Sequence, residues 1–338
     1  MWRVRRAGPR AAAEARLLGA LLGLLLAASA DGASAIDLQG HRGARGLAPE
    51  NTLAAFRVAL GIGVTTLETD LALTADDVLV LAHDPELNPA LVRGPQGHWI
   101  GEAGPAIRTL TARELQGYDV GRLNPNHAYA AAWSSQRPSD GERMPTLAQL
   151  FALARDARTP GGAPVRFNIE TKLTPSGPAR TASPEEFARA LAGAIRAADM
   201  TERVTVQSFD WRALLALKRL APGVRTACLT IESNGMNTVR EDATGASPWH
   251  AGLKRADHGG SLLRTVSAAG CAIWSPFWRN LTVELVAEAR ALGLAVIPWT
   301  VNEPADIDCM LDLAVDGLIS DYPDRARAVL ARRNVRVD

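Results

Sequence analysis

The feature that most constrains the fold is a repeated alternation of short apolar runs and segments with helical periodicity. Short runs rich in β-branched and aliphatic residues predict strands, and the segments between them carry apolar residues three or four positions apart. This alternation is typical of parallel α/β folds, in which a helix connects each strand to the next. The predicted strands are residues 37–40, 66–71, 165–170, 204–207, 225–229, 272–274, 295–299 and 317–319.

The predicted helices begin and end at residues with ordinary capping chemistry. Thr52 precedes an apolar helical pattern, and Gly61 and Gly63 end it. Ser183 is followed by a proline and two glutamates, which is typical of a helix start. Eight strands and their helices suit a closed (β/α)₈ barrel, for which 338 residues are sufficient. Further predicted helices are residues 184–198, 211–220, 282–292, 304–313 and 323–332.

Two long stretches interrupt the alternation. Residues 85–145 are rich in glycine and proline and carry Trp99 and Trp133, and residues 230–262 carry Trp249. Long loops in compact domains are commonly functional or disordered. We therefore predict a partial lid for each stretch, and a solvated surface excursion is an open alternative for the second.

Polar side chains collect where several predicted strands end. His41 and Arg42 follow the first strand, Glu68 and Asp70 lie in the second, and Glu170 ends the third. Residues two apart on a strand share a face, so Glu68 and Asp70 point the same way. Active sites of barrels lie at these strand ends, and three carboxylates converging there would repel one another without a cation. Oxygen ligands without cysteine favour a hard ion, Ca²⁺ or Mg²⁺.

Further strings complete a pattern that extends over nearly the whole chain after about residue 36. They are His41-Arg42-Gly43, Pro49-Glu50-Asn51-Thr52, Phe56, Glu68-x-Asp70, Thr74-x-Asp76, His83-Asp84, Met144-Pro145-Thr146-Leu147, Glu170-Thr171-Lys172, Gln207-Ser208-Phe209, Trp299-Thr300-Val301-Asn302 and Gly317-Leu318-Ile319-Ser320-Asp321. This pattern resembles the glycerophosphodiester phosphodiesterase family, in its bacterial, exported form. The resemblance implies a (β/α)₈ TIM barrel of the phospholipase-C-like phosphodiesterase type, with an insertion after the second barrel strand.

The resemblance also implies an activity and its central residues. The activity is metal-dependent hydrolysis of small-molecule glycerophosphodiesters to glycerol 3-phosphate and an alcohol such as choline, ethanolamine or glycerol. His41 and His83 match the family's acid–base pair, and histidine suits proton transfer near neutral pH. Glu68, Asp70 and Glu170 resemble its ligands for a divalent cation, Ca²⁺ or Mg²⁺.

The remaining candidates bind substrate or support the site. Arg42 can contact two phosphodiester oxygens through its planar guanidinium, and Lys172 can add a point charge. Trp299, at a strand end, is predicted to pack against the glycerol or head group, with an ordinary rim aromatic as the alternative. Glu50 and Asn51 are either helix-cap residues or supports that orient the first histidine.

Several choices remain open from the sequence. Either histidine can be the acid, and the nucleophile is either water or a glycerol hydroxyl that first gives a cyclic phosphate. A phospholipase-D-like hydrolase of intact lipids and a non-catalytic lipid- or solute-binding barrel are the alternative functions. The head group and the oligomeric state are open. The chain departs from the usual family pattern at Asp76-Asp77 and after His83-Asp84, which bears on head-group choice.

The first 35 residues predict a signal peptide that precedes a single barrel domain over residues 36–338. Arg3, Arg5, Arg6 and Arg10 form a positive region before an apolar run over residues 17–28, and small residues offer cleavage after Ala30 or Ala35. The run is too short to span a bilayer comfortably. We predict export to the periplasm without stable membrane association after cleavage. An uncleaved anchor and a twin-arginine route through Arg5-Arg6 are the alternatives.

Net charge and cysteine content bear on whether the protein binds nucleic acid, carries a disulfide framework or holds a zinc site. The formal net charge of +1 gives no basis for nucleic-acid binding. The odd number of cysteines, Cys228, Cys271 and Cys309, and their spacing predict buried thiols rather than a disulfide framework or a zinc site. Four histidines lie outside the family strings: His98, His127, His250 and His258. We place them in polar loops and do not predict them to be catalytic.

Overall fold

The computed structural model describes residues 35–102, 104–176 and 180–337. Apart from Ala35, the predicted signal peptide lies outside these described residues. The chain from residue 35 onward forms one compact unit. In the part of the chain that is described, no helix is both long and apolar enough to cross a membrane.

The unit is built around one sheet of nine strands. The strands are β1 (Asp37–Gly40), β2 (Thr66–Leu73), β3 (Leu79–Leu81), β4 (Arg166–Thr171), β5 (Val204–Ser208), β6 (Arg225–Thr230), β7 (Ile273–Pro276), β8 (Ala295–Val296) and β9 (Gly317–Ser320). Eight of them pair in parallel in the order β8-β7-β6-β5-β4-β2-β1-β9. The ninth, β3, pairs antiparallel with β2 and brings the chain to His83.

Backbone hydrogen bonds nearly close this sheet into a barrel. The Asp316 N–H donates to the Val296 carbonyl at 2.9 Å, and the Ile319 N–H donates to the Pro298 carbonyl at 3.0 Å. These bonds join β9 to the chain that continues β8, so the predicted parallel eight-stranded barrel is confirmed. The strand predicted over residues 295–299 ends early, because Pro298 has no N–H to extend the ladder.

Ten α-helices lie within the described residues. Thr52 caps the first by accepting the Ala55 N–H, and Gly63 ends it with a φ of 86°. The predicted start at Ser183 is a capping box with Glu186. The helices are α1 (Leu53–Ile62), α2 (Ala112–Leu115), α3 (Ala128–Ala131), α4 (Leu147–Leu153), α5 (Pro184–Ala197), α6 (Trp211–Leu220), α7 (Leu262–Ala268), α8 (Val283–Ala291), α9 (Pro304–Asp312) and α10 (Pro323–Arg332).

The main apolar core lies between the barrel and these helices. Phe56 of α1, Phe151 of α4, Phe167 of β4 and Trp211 of α6 are almost completely buried there. Phe151 and Phe167 meet edge to face with their ring centroids 4.9 Å apart. Because apolar burial stabilises by about 1.5–3 kcal/mol per large side chain, this layer holds the helices to the strands and keeps the strand ends in place.

The interior of the barrel is partly polar. The Asn168 side-chain amide donates to Gln39 at 2.7 Å and to Gln207 at 2.9 Å, and all three side chains are buried. The Gln207 amide in turn donates to Glu68 at 3.0 Å. A column of amide side chains therefore runs up the barrel and ends at a carboxylate of the candidate site.

The long stretch over residues 85–145 shares a small second apolar core with strands β2 and β3. Helix α3 lies in this stretch, and Tyr129 of the helix and Trp133 just after it reach the barrel mouth. Whether the stretch acts as a lid stays a prediction. The buried residues of this second core are Ala72, Val80, Ala82, Leu87, Val92, Ile107, Leu115 and Met144.

The second long stretch, residues 230–262, is more ordered than the sequence suggested. His250 is buried and stacks on Trp211 with ring centroids 3.9 Å apart, so its assignment to a polar loop is wrong. Burial lowers the pKa of His250 to about 4, which keeps the ring neutral near pH 7. The ring of Trp211 provides an apolar surface on which His250 is buried. The residues next to His250 in the sequence do not indicate this contact.

Cys228 and Cys271 form a disulfide, with their Cα atoms 5.9 Å apart. The prediction of buried thiols is therefore wrong for this pair. Cys228 lies in β6 and Cys271 lies two residues before β7, and pairing of these neighbouring strands brings the two cysteines together. The odd number of cysteines argued against a disulfide, but the third cysteine, Cys309, is a separate, exposed free thiol on α9.

Candidate active site

The sequence-predicted residues meet at the carboxyl ends of the barrel strands, around a cavity of about 150 Å³. The strands deliver them because parallel β1, β2 and β4 all end at this face of the barrel. Asp70 is buried directly behind the cavity wall, between Arg42 and Lys172. The predicted residues that line the cavity are His41, Arg42, Glu68, His83, Glu170, Lys172 and Trp299.

Three carboxylates form a compact, buried cluster. Glu68 and Asp70 lie two apart on β2, and Asp70 is opposite Glu170 in the register with β4. One oxygen from each lies within 4.8 Å of the others. Asp70 Oδ1 is buried and accepts no hydrogen bond from the described residues. An oxygen-only cluster with a carboxylate oxygen that accepts no hydrogen bond fits a hard divalent cation.

The three carboxylates differ in their electrostatics. Burial, and next the charge of Asp70, raise the pKa of Glu68 well above its usual range. Burial also raises the pKa of Glu170, with Lys172 acting against it. Burial opposes ionisation of Asp70 as well, but Arg42 and Lys172 outweigh it and hold the pKa of Asp70 well below its usual range. Asp70 is thus the permanent anion of the cluster.

The carboxylate that holds His41 belongs to Asp321, which directly follows the last barrel strand. The Nδ1 of His41 lies 2.6 Å from Asp321 Oδ1, and its Nε2 lies 3.9 Å from Glu68. An Nδ1–H bond to Asp321 leaves the Nε2 lone pair directed towards the acidic cluster. Burial lowers the pKa of His41 to about 4, although Asp321 acts in the opposite direction. The ring is neutral near pH 7.

Asp321 is itself held by two further side chains. Arg45 donates to both of its oxygens, at 2.8 and 3.1 Å, and Asn302 donates to Oδ2 at 2.7 Å. Sequence reasoning quoted the string ending in Asp321 but assigned it no role, and it missed Arg45 altogether. The available signal for Asp321 was an acidic residue directly after a predicted strand, where barrel active sites lie.

Glu50 and Asn51 support the site, and Thr52 is the helix cap in their place. Glu50 accepts from Arg42 Nη1 at 2.6 Å, and Asn51 donates to Asp70 at 3.0 Å. The backbone N–H of Arg42 donates to Glu68 at 2.8 Å. The turn after β1 therefore reaches two members of the acidic cluster and orients the guanidinium.

His83 occupies a more open position than His41. Its side chain is 32% exposed, and its Nδ1 lies 2.8 Å from Asp84 Oδ1. Asn88 donates to the other Asp84 oxygen at 2.6 Å. Each histidine thus has a carboxylate at Nδ1, which leaves Nε2 as the nitrogen available for proton transfer, but His83 borders open solvent.

Lys172 and Trp299 lie on the remaining sides of the cavity. Lys172 Nζ lies 2.7 Å from Glu170 and 3.6 Å from Asp70, and these carboxylates raise its pKa against the effect of burial. The Trp299 indole N–H donates to the Ser275 carbonyl at 3.0 Å, and its ring packs against Phe209. Lys172 is therefore a positive charge held in place by its ion pairs, and Trp299 is a side chain held in place in the cavity lining.

Three further supporting residues lie outside the predicted site. Gln207 at the end of the amide column donates to Glu68, although sequence reasoning used it only as part of a family string. Tyr129 of the insertion donates to Glu50 at 2.5 Å, and Trp133 packs beneath the Arg45 guanidinium at 4.3 Å. No local signal marks Tyr129, because its contact depends on how the insertion folds back.

Comparison with known proteins agrees with this geometry. The chain matches the model of the Glycerophosphoryl diester phosphodiesterase family over residues 41–325. A glycerophosphodiester phosphodiesterase of Caldanaerobacter subterraneus subsp. tengcongensis is 30% identical over 288 residues, which cover 84% of this chain and 93% of that protein. One from Bacillus altitudinis is 26% identical and covers 85% and 94%.

Solved structures show the same similarity. A Silicibacter pomeroyi DSS-3 protein assigned to the same phosphodiesterase class has a TM-score of 0.78 at 34% identity, covering 90% of this chain and 96% of that one. An Oleispira antarctica phosphodiesterase, solved with the product sn-glycerol-3-phosphate, has a TM-score of 0.62 at 20% identity, covering 88% and 97%. The second likeness shows the shared fold. The chain therefore belongs to the glycerophosphoryl diester phosphodiesterase family and is a phosphoric diester hydrolase.

Proposed function

We propose that this enzyme hydrolyses glycerophosphodiesters to glycerol 3-phosphate and an alcohol in a metal-dependent reaction with two histidines. The observation that carries the proposal is the meeting of His41, His83 and Arg42 with the acidic cluster around one cavity. The Oleispira antarctica barrel, which binds the product sn-glycerol-3-phosphate, supports the same product here.

Glu68, Asp70 and Glu170 would hold a divalent cation, Ca²⁺ or Mg²⁺. Their burial and mutual proximity support this, since three such carboxylates are costly without a compensating charge. When bound, the cation supplies charge stabilisation to the phosphoryl oxygens. Arg42 and Lys172 line the same cavity and add further positive charge. Their attraction to the phosphoryl oxygens increases as negative charge develops there in the transition state.

The two histidines divide the proton transfers according to their positions. His41 lies deep and carries its proton on the Nδ1 bonded to Asp321, so its Nε2 can accept a proton from the attacking oxygen. His83 borders the open cleft through which an alcohol would leave, and it can donate a proton to the departing oxygen. We propose His41 as base and His83 as acid.

The central test measures release of glycerol 3-phosphate from glycerophosphocholine. Wild type is assayed with chelator, with Ca²⁺ and with Mg²⁺, beside His41→Ala and His83→Ala. We expect activity only with a metal ion, and a loss of kcat of at least about 100-fold in each variant. His98→Ala, an exposed position in the insertion, is the matched control. Full turnover under exhaustive chelation would exclude the role given to the carboxylates.

We also propose that residues 1–35 are a signal peptide and that residues 36–338 form one exported catalytic domain with an insertion at about 85–145. The Cys228–Cys271 disulfide supports export, because disulfides persist in oxidising compartments such as the periplasm. Mass spectrometry of the protein from a periplasmic fraction tests this. A new N-terminus at Asp31 or Ile36 is expected, whereas an intact Met1 would favour a membrane anchor.

A further inference from the structure

A second, larger cleft continues outward from the reacting cavity. It has a volume of about 770 Å³, and it shares His83, Glu170, Lys172, Phe209 and Trp299 with that cavity. Ligand sites of roughly 300–1,000 Å³ bury drug-sized molecules. The cleft begins beside the histidine that faces the leaving alcohol, so it is placed to receive the alcohol part of the substrate.

Three aromatic rings form one side of this cleft, and we call them the aromatic wall: Trp299, Phe209 and Trp249. The Phe209 centroid lies 5.4 Å from that of Trp299 and 6.2 Å from that of Trp249, with interplanar angles of 82° and 73°. Phe209 therefore stands nearly perpendicular to both tryptophans, and the rings bound a corner. Because they pack on one another, the corner is formed before a ligand binds.

The rest of the outer cleft combines apolar side chains with the hydroxyls of Thr174, Ser176 and Thr181. Ile231 and Met236 continue the apolar surface from the aromatic wall. Asp84 is the one carboxylate among the described residues that line this cleft without also lining the reacting cavity. Its oxygens already lie 2.8 Å from His83 Nδ1 and 2.6 Å from the Asn88 amide that donates to it, and Arg180 is paired with Glu86 at 2.8 Å. A primary ammonium carries three N–H donors, and the side chains of the aromatic wall offer no oxygen acceptor to replace its water. A quaternary ammonium has no donors, and aromatic faces bind it well.

The charge of the reacting end also favours a cationic head group. Six carboxylates lie there with three basic side chains, a formal excess of three negative charges that one divalent cation does not cancel. A zwitterionic substrate is less repelled by this excess than an anionic one. The groups counted are Glu50, Glu68, Asp70, Asp84, Glu170 and Asp321 against Arg42, Arg45 and Lys172.

We propose that the aromatic wall is the subsite for the leaving alcohol and that it selects a quaternary ammonium alcohol. The preferred substrate is then a zwitterionic glycerophosphodiester whose head group is a trimethylated aminoalcohol. This inference rests on the proposed function of the reacting site. It assigns Trp249 and Phe209 as specificity-determining residues.

Three esters of sn-glycerol 3-phosphate test the proposal on the wild-type enzyme. They carry choline, ethanolamine and 3,3-dimethylbutanol, the last having the shape of choline without its charge. We expect kcat/KM for the choline ester to exceed that of each of the others by about five- to thirty-fold. Tetramethylammonium should compete with the choline ester. Equal rates for all three esters, or a preference for the uncharged isostere, would overturn the proposal.

Variants of the aromatic wall test the residues. Trp249→Leu keeps an apolar side chain but removes the ring, so the choline-to-dimethylbutanol ratio of kcat/KM should fall towards one, whereas Trp249→Phe should largely retain it. Phe209→Leu provides a second position if Trp249→Leu folds poorly. Trp99→Leu, in the insertion and outside the cleft, is the control. An unchanged ratio in folded Trp249→Leu and Phe209→Leu would remove both residues from the subsite.

Failure of this inference and failure of the proposed function are distinguishable. If folded, metal-supplemented enzyme cleaves none of the three esters, the proposed function itself is wrong. If it cleaves all three without preference, the reacting site stands and only the head-group assignment fails.

Discussion

Nδ1 of His41 lies 2.6 Å from Oδ1 of Asp321, a residue 280 positions later in the chain. His41 follows β1 and Asp321 follows β9, and these neighbouring strands pair in parallel over their full length. Closing the barrel therefore assembles the proposed base and its carboxylate. Arg45 and Asn302 hold the carboxylate in turn, so the imidazole has one preferred orientation.

Replacing Asp321 with asparagine should impair proton transfer more than binding. The amide can hold His41 in the wrong tautomer and gives Arg45 a weaker partner. We expect kcat to fall by about 100-fold or more while KM changes little. Steady-state kinetics check this, beside thermal unfolding and the exposed control Asp324→Asn. A change confined to KM would mean that Asp321 acts on binding instead.

Gln207→Leu should weaken metal binding. The variant removes the hydrogen bond to Glu68 and leaves the buried Asn168 amide with one partner fewer. Loss of such a supporting bond commonly costs about 10–100-fold in metal affinity. Calorimetric titration with Ca²⁺ measures it directly, with Gln96→Leu at an exposed site as control. Unaltered affinity would show that Glu68 needs no support from the amide column.

Metal should stabilise the fold more as the pH rises. The pKa values of Glu68 and Glu170 are raised by burial, so the metal-free native state binds more protons than the unfolded chain above about pH 4.5. Its stability therefore falls as pH rises through that range, and a bound divalent cation relieves this loss. Unfolding temperatures with Ca²⁺ and with chelator should diverge from pH 4.5 to 7. Converging values would contradict the raised pKa values.

Removing the disulfide should lower stability without altering the reacting site. The bond joins residues 43 apart, and loop closure of that length contributes about 2–4 kcal/mol. Cys228→Ala with Cys271→Ala should lower the denaturation midpoint accordingly, as should reduction of the wild type. Cys309→Ser should have no such effect, because that thiol is free and exposed. Equal behaviour of both variants would argue that the bond contributes nothing.

Much of the fold follows from local patterns that the sequence displays directly. Strand and helix positions depend on periodicity and capping within about ten residues, and the helix start predicted at Ser183 is confirmed. The departure at Asp77 is accommodated locally too: its φ is 58°, which Asp tolerates, and Arg108 pairs with its carboxylate at 2.7 Å. The acidic cluster could be predicted from the sequence because Glu68 and Asp70 are two residues apart and share one face of a strand.

Only the tertiary structure decided which distant residues meet. The Cys228–Cys271 bond, the support of His41 by Asp321 and the tie from Tyr129 to Glu50 each join residues at least 43 positions apart. Local periodicity carries no information on such pairs, because strand order and barrel closure set their distance. The sequence by itself determined the elements and the reactive side chains, and packing determined their partners, their pKa values and the shape of the cleft.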